Sequence, residues 1–154
     1  MNLEALDNPN LIAFLSTIAY SEGADYNVRF GGAKFDSFDD HPRIIYDAHG
    51  LKSDAAGRYQ IMSYTWDYMV KKLGLTGGFI PKNQDIVAMY LISGRNALND
   101  VCNGQFTTAI QKCCLEWASF PDATKNGASH YGGQPSHPIE VLRDYYFKAG
   151  GQSA

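Results

Sequence analysis

The sequence predicts an α+β fold, one mostly helical domain with a small β element. Three observations carry that expectation. Several segments place apolar residues at helical spacing, each followed by a glycine or a proline. The stretch 27–50 instead alternates weakly and contains Gly31-Gly32, as a small hairpin or irregular β lobe would. The chain has 154 residues with no repeat and no linker-like segment, so a single domain spanning 1–154 is expected.

The first helix is expected from about Asn10 to Ser21, with Asn8 or Asn10 as cap and Pro9 in the first turn. Ile12, Leu15 and Ala19 form its apolar stripe, and Glu22 continues that stripe at about 100° per residue. Gly23 then stops the helix. A second helix follows Ser63, buries Trp66, Met69, Val70 and Leu73, and stops at Gly74. A third starts near Pro81 and carries Ile86, Met89, Tyr90 and Leu91. A fourth sets Phe106, Ile110, Cys113 and Trp117 on one stripe and ends before Pro121. The last begins around Pro138, buries Ile139, Leu142 and Tyr146, and ends at Gly150-Gly151. Loop-like regions cover 23–57 and 120–137.

Composition excludes several classes. A formal charge of -3 argues against nucleic acid as a partner, because phosphate binding requires a basic surface. Apolar runs such as Leu11 to Leu15 are far too short for membrane insertion. The acidic start MNLEALDNPN lacks the basic region of a signal peptide, so synthesis as a soluble cytoplasmic protein is expected. The three cysteines, Cys102, Cys113 and Cys114, read as reduced thiols rather than a disulfide framework. The histidines His41, His49, His130 and His137 show no zinc-ligand spacing and read as loop residues, so no metal and no cofactor is expected. His41, in DDHPR, is placed to pair with an aspartate and brace its loop.

The chain has four glutamates, and Glu22 is the best placed of them for acid catalysis. At the edge of an apolar stripe a carboxyl is partly desolvated, which raises its pKa towards that of a general acid. The residues alone favour the plainer reading of Glu22 as an exposed helix end. Asp25, Asp39 and Asp40 are the nearby candidates for a second carboxylate, should hydrolysis require one. The segment AAGRYQIMSYTWD places Tyr59 and Gln60 in a turn before a helix, where either can approach a ligand. A Gln side chain both donates and accepts, which suits an N-acetyl sugar. An ordinary turn explains the same residues equally well.

The segments AYSEG (19–23), GGAKFDSFDDHPR (31–43), LKSDAAGRYQIMS (51–63), PKNQDIVAM (81–89), IQKCCLEWASFP (110–121), YGGQ (131–134) and FKAGG (147–151) together resemble the lambda endolysin family of peptidoglycan lytic transglycosylases. The resemblance implies a lysozyme-like fold, a helical lobe and a small β lobe with a glycan cleft between them. It implies that Glu22, in SEG, is the single catalytic residue, and that Tyr59, Gln60 and, from YGGQ, Tyr131 line the cleft. The implied substrate is the peptidoglycan glycan strand. The implied reaction breaks the β-1,4 bond between N-acetylmuramic acid and N-acetylglucosamine without water. The implied setting is a monomer held in the host cytoplasm until a holin opens the membrane, or a virion-borne enzyme used at entry. Rival readings are a hydrolytic muramidase of the same fold, a non-catalytic peptidoglycan-binding or tail-structural protein, and a zinc peptidase.

Overall fold

The computed structural model describes residues 1–154. Six α-helices surround one apolar core, and a single two-stranded hairpin projects from it, so the molecule is α+β. Helix α1 runs Pro9–Glu22. Asn8 caps it by accepting from the backbone N–H groups of Asn10 and Leu11, and Gly23, at φ 63°, ends it in the left-handed region. Its core residues are Leu11, Phe14, Leu15 and Ile18, while Ile12 is 48% exposed. The apolar stripe is therefore rotated from the one expected through Ile12. Glu22 still extends it, four residues beyond Ile18.

The β element lies further along the chain than expected. Strand β1 is Tyr46–Ala48 and β2 is Leu51–Ser53, antiparallel, with Ala48 opposite Leu51. The two residues between them, His49 and Gly50, both have positive φ, 53° and 81°. That is the geometry of a tight turn matched to strand twist, and glycine at the second position makes it accessible. The stretch 27–35 forms only isolated bridges, Val28 with Lys34 and Arg29 with Ala56.

Helices α2 (Ser63–Leu73) and α3 (Pro81–Gly94) follow. Trp66 and Met69 of α2 are buried, and Val70 and Leu73 are half-buried. Helix α3 is apolar on most sides, burying Ile86, Val87, Ala88, Met89 and Ile92, as a central helix must. The single fourth helix of the sequence reading is preceded by an unexpected short one, α4 (Leu98–Cys102), and is itself shorter, α5 (Phe106–Cys113). Trp117 lies beyond its end, in a turn, yet is buried. Helix α6 (Ile139–Lys148) buries Leu142 and Tyr146 and packs on α1. Phe14 of α1 meets Phe106 and Phe120 edge to face at 6.1 and 5.9 Å, which ties these helices together.

All three cysteines are free thiols. No three His, Cys, Asp or Glu side chains gather as metal ligands. His41 does not pair with an aspartate through its ring. It is buried, its Nε2 lies 2.8 Å from the Ile61 carbonyl, and its Nδ1 accepts from the Arg43 N–H at 3.0 Å. Burial lowers its pKa, so the neutral ring that donates on one side and accepts on the other is the favoured form.

Candidate active site

Glu22 is the last residue of α1, and the end of that helix is pinned from two directions. Ser21 Oγ lies 2.6 Å from Ser119 Oγ. His137 Nε2 lies 3.0 Å from the Ser21 carbonyl, one of the carbonyls that a helix C-terminus leaves without an intrahelical partner. The Glu22 carboxyl is half-buried in the groove these segments border. Burial raises its pKa to about 7, and the Ser119 hydroxyl offsets part of that rise. A carboxylic acid with that pKa holds its proton near neutrality and can return to the carboxylate within one reaction cycle.

Two cavities, of about 280 and 470 Å³, meet at Glu22. Glu22, Phe30, Leu51, Gln60, Ala118 and Gln134 line both, so they form one groove running past the carboxyl. One wall comes from Phe30 and the hairpin residue Leu51, the other from Ala118 and Gln134. Tyr131 lines the larger cavity, 43% exposed, with its hydroxyl donating to the Leu115 carbonyl at 2.5 Å.

The Gly57–Ile61 turn forms the groove floor. Gly57 has φ 81°, and a Cβ there would lie 2.3 Å from Gln84 Oε1, so only glycine fits. Gln60 also has positive φ, 50°. Its Nε2 donates to the Val28 and Gly57 carbonyls at 3.1 and 2.9 Å. Its donors are thus spent on the backbone, and the side-chain oxygen is what it can offer a ligand.

Tyr59 behaves differently from the expectation. Its side chain is fully buried, so it cannot touch a molecule in the groove. Its hydroxyl donates to Asp85 at 2.5 Å and accepts from Arg58 at 2.9 Å, and its carbonyl accepts from Trp117 Nε1 at 2.9 Å. Tyr59 braces the floor from below and leaves the upper side to Gln60.

None of Asp25, Asp39 and Asp40 lines either cavity. Asp40 is held in an ion pair with Arg43 at 2.9 Å, which lowers its pKa. Glu116 lines the larger cavity but is paired with Arg95 at 2.8 Å. Ser119 and Asp85 were not singled out in the sequence, and His137 was read only as a loop residue. Ser119 stood inside the quoted WASFP segment, and Asp85 was visible as the acid directly before the apolar run of PKNQDIVAM.

Comparisons with known proteins bear on the fold and the family. The sequence profile of the Endolysin family matches residues 12–153. The chain is 40% identical over 150 residues to the endolysin of Escherichia phage lambda, covering 90% of each protein. It is 34% identical over 165 residues to the endolysin of Escherichia phage P2, covering 94% of this chain and 95% of that one. Its structure is similar to that of bacteriophage lambda lysozyme complexed with a chitohexasaccharide, with a TM-score of 0.87, 38% identity, and 96% and 97% of the two chains covered. It is similar also to lysozyme from bacteriophage lambda, with a TM-score of 0.84, 37% identity and the same coverage. The fold is lysozyme-like, and the chain belongs to the endolysin family.

Proposed function

We propose that the protein is a peptidoglycan lytic transglycosylase used in phage-mediated lysis of the host cell wall. The reading rests on one observation above the rest: Glu22 is the only carboxylate lining the groove that is not held in an ion pair. A hydrolase that activates water needs a second carboxylate across the bond, and the sequence candidates for that role lie elsewhere. A transglycosylase needs only one.

In this reading protonated Glu22 gives its proton to the oxygen bridging N-acetylmuramic acid and N-acetylglucosamine. The bond from that oxygen to the muramic anomeric carbon breaks, and positive charge develops on the carbon. The Glu22 carboxylate then takes the proton of the sugar's own C6 hydroxyl, whose oxygen closes onto the anomeric carbon. The product ends in 1,6-anhydromuramic acid, no water is consumed, and Glu22 is protonated again. The C6 hydroxyl is held by its own ring, which gives it a large effective concentration. Gln60 Oε1 accepts from a sugar N–H or hydroxyl, and Tyr131 offers its ring as a side wall. The chitohexasaccharide held by the similar lambda lysozyme supports a saccharide as the occupant. No helix is long and apolar enough to cross a membrane. We place the protein as a monomer that reaches the wall after a holin opens the membrane.

The test is mass spectrometry of fragments released from purified peptidoglycan. Anhydromuramyl ends, each one water lighter than the hydrolytic product, are expected. Reducing muramic ends would make the protein a hydrolytic muramidase, and fragments cut at peptide or amide bonds would overturn the glycosidic reading altogether.

A further inference from the structure

The larger cavity does not stop at the catalytic groove. A second hollow of about 430 Å³ lies between α2 and α3, and Tyr64, Arg95 and Glu116 line both spaces. The two therefore adjoin along these side chains. Tyr64 and Tyr68 of α2 are 71% and 63% exposed, among the most exposed large apolar side chains of the molecule. Tyr64, Tyr68 and Lys72 follow one another at four-residue spacing, so they form a row on one helix face about 12 Å long. Lys72 Nζ lies 5.7 Å from the centre of the Tyr68 ring, over its face. Such a row leading directly out of a binding groove is an informative exposure, unlike a lone surface aromatic.

The chemistry of the floor narrows the ligand. Arg95 is already satisfied: it pairs with Glu116 at 2.8 Å and donates to the Leu115 carbonyl at 3.1 Å. The floor is thus polar but neutralised, with hydrogen-bonding capacity and no free charge. A carboxylate-rich stem peptide would need an unpaired cation there, and the groove offers only Lys72, at its outer end. A neutral sugar ring presents an apolar face to an aromatic ring and hydroxyls to a neutralised ion pair, and it fits both features.

We propose that the α2–α3 groove is an outer saccharide subsite, in which Tyr64 and Tyr68 stack against sugar rings of the glycan strand beyond those at Glu22. This rests on the glycan-cleaving reading of the main groove. It adds a residue-level statement: long strands bind better than short ones because of these two rings.

The test is calorimetric binding of N-acetylglucosamine oligomers of increasing length to the intact protein and to its Tyr68→Ala and Tyr64→Ala/Tyr68→Ala variants. Both side chains are mostly exposed, so folding is expected to be retained, and matched thermal melts check it. Affinity is expected to rise with oligomer length, and each alanine to remove about threefold to tenfold of that rise, as loss of one aromatic contact implies. Tyr64→Phe/Tyr68→Phe, which keeps the rings, is expected to restore the dependence on length. An unchanged length dependence in the double alanine variant overturns the subsite while leaving the function proposed for Glu22 intact. A loss seen only with wall fragments bearing stem peptides, and not with bare oligomers, also overturns it, in favour of peptide recognition. An intact protein that binds no oligomer of any length takes down the glycan reading of both grooves.

Discussion

The two sides of the Gly57–Ile61 turn make an informative contrast. Below it, polar groups are saturated. Tyr59 and Tyr26 both donate to Asp85, Arg58 bonds Tyr59, Tyr26 and Ser16, and the buried Gln84 bonds the Tyr26 and Phe79 carbonyls and the Arg58 N–H. No buried side-chain polar atom in the chain is left without a partner. Above the turn, Glu22 keeps a carboxyl without an ion pair and Gln60 an unspent oxygen. Neighbouring residues in one short segment thus divide the work. The saturated side fixes geometry, and the unsaturated side is free to act because its support is fixed.

The largest expected effect lies on the open side. Glu22→Gln keeps shape and removes the transferable proton, and release of soluble fragments from purified peptidoglycan is expected to fall about a thousandfold or more. Near wild-type release would remove Glu22 as the acid. On the saturated side the effect should appear as stability instead. Asp85→Ala strips the acceptor from two tyrosine hydroxyls, and denaturant unfolding is expected to show a loss of about 2–4 kcal/mol. Activity per folded molecule should change far less than in Glu22→Gln. If Asp85→Ala unfolds normally yet is inactive, the division between the two sides is wrong.

The smallest effect sharpens the contrast through pH. The folded-state pKa of Glu22 is raised from 4.5 to about 7, so its favourable contribution is complete below about 4.5 and is lost as pH rises through 7. Glu22→Gln should therefore become more stable than the wild type as pH rises from 5 to 8, by about 1–3 kcal/mol, read from paired denaturation curves. His41 acts in the opposite sense. Its pKa is lowered, so its contribution is present above about 6.5 and is lost as pH falls. It is common to both proteins and cancels in their difference. Catalysis that needs protonated Glu22 should weaken above pH 7, just beyond the range over which the wild type loses its share of stability. A gap between the two proteins that stays constant across this range would mean that Glu22 is solvated.

The helices were legible because each carries its own local signals. Asn8 and Pro9 open α1, Gly23 closes it, and Gly74 closes α2. The hairpin was misplaced because its turn, His49-Gly50, lay at the very edge of the stretch expected to be β, and short exposed strands leave little alternation to read. Helix α4 was missed because five residues carry too short a period to register. The burial of Trp117 beyond the end of α5 looked like helical continuation because a turn returned it to the core.

The site divides in the same way. The sequence by itself determined the α+β character, the placement of Glu22 at the glycine-stopped end of an apolar stripe, and the motifs that mark the family. These depend on neighbours within a few residues, where capping and periodicity act. Only the tertiary structure decided that Tyr59 is a buried brace while Gln60 faces the groove. It alone showed that Asp25, Asp39 and Asp40 do not line the groove at Glu22, and that Ser119 and His137 hold the end of its helix. Those outcomes depend on which distant segments desolvate a side chain or supply its partner. A carboxyl's pKa and a tyrosine's exposure are set by such packing, and local sequence does not encode it.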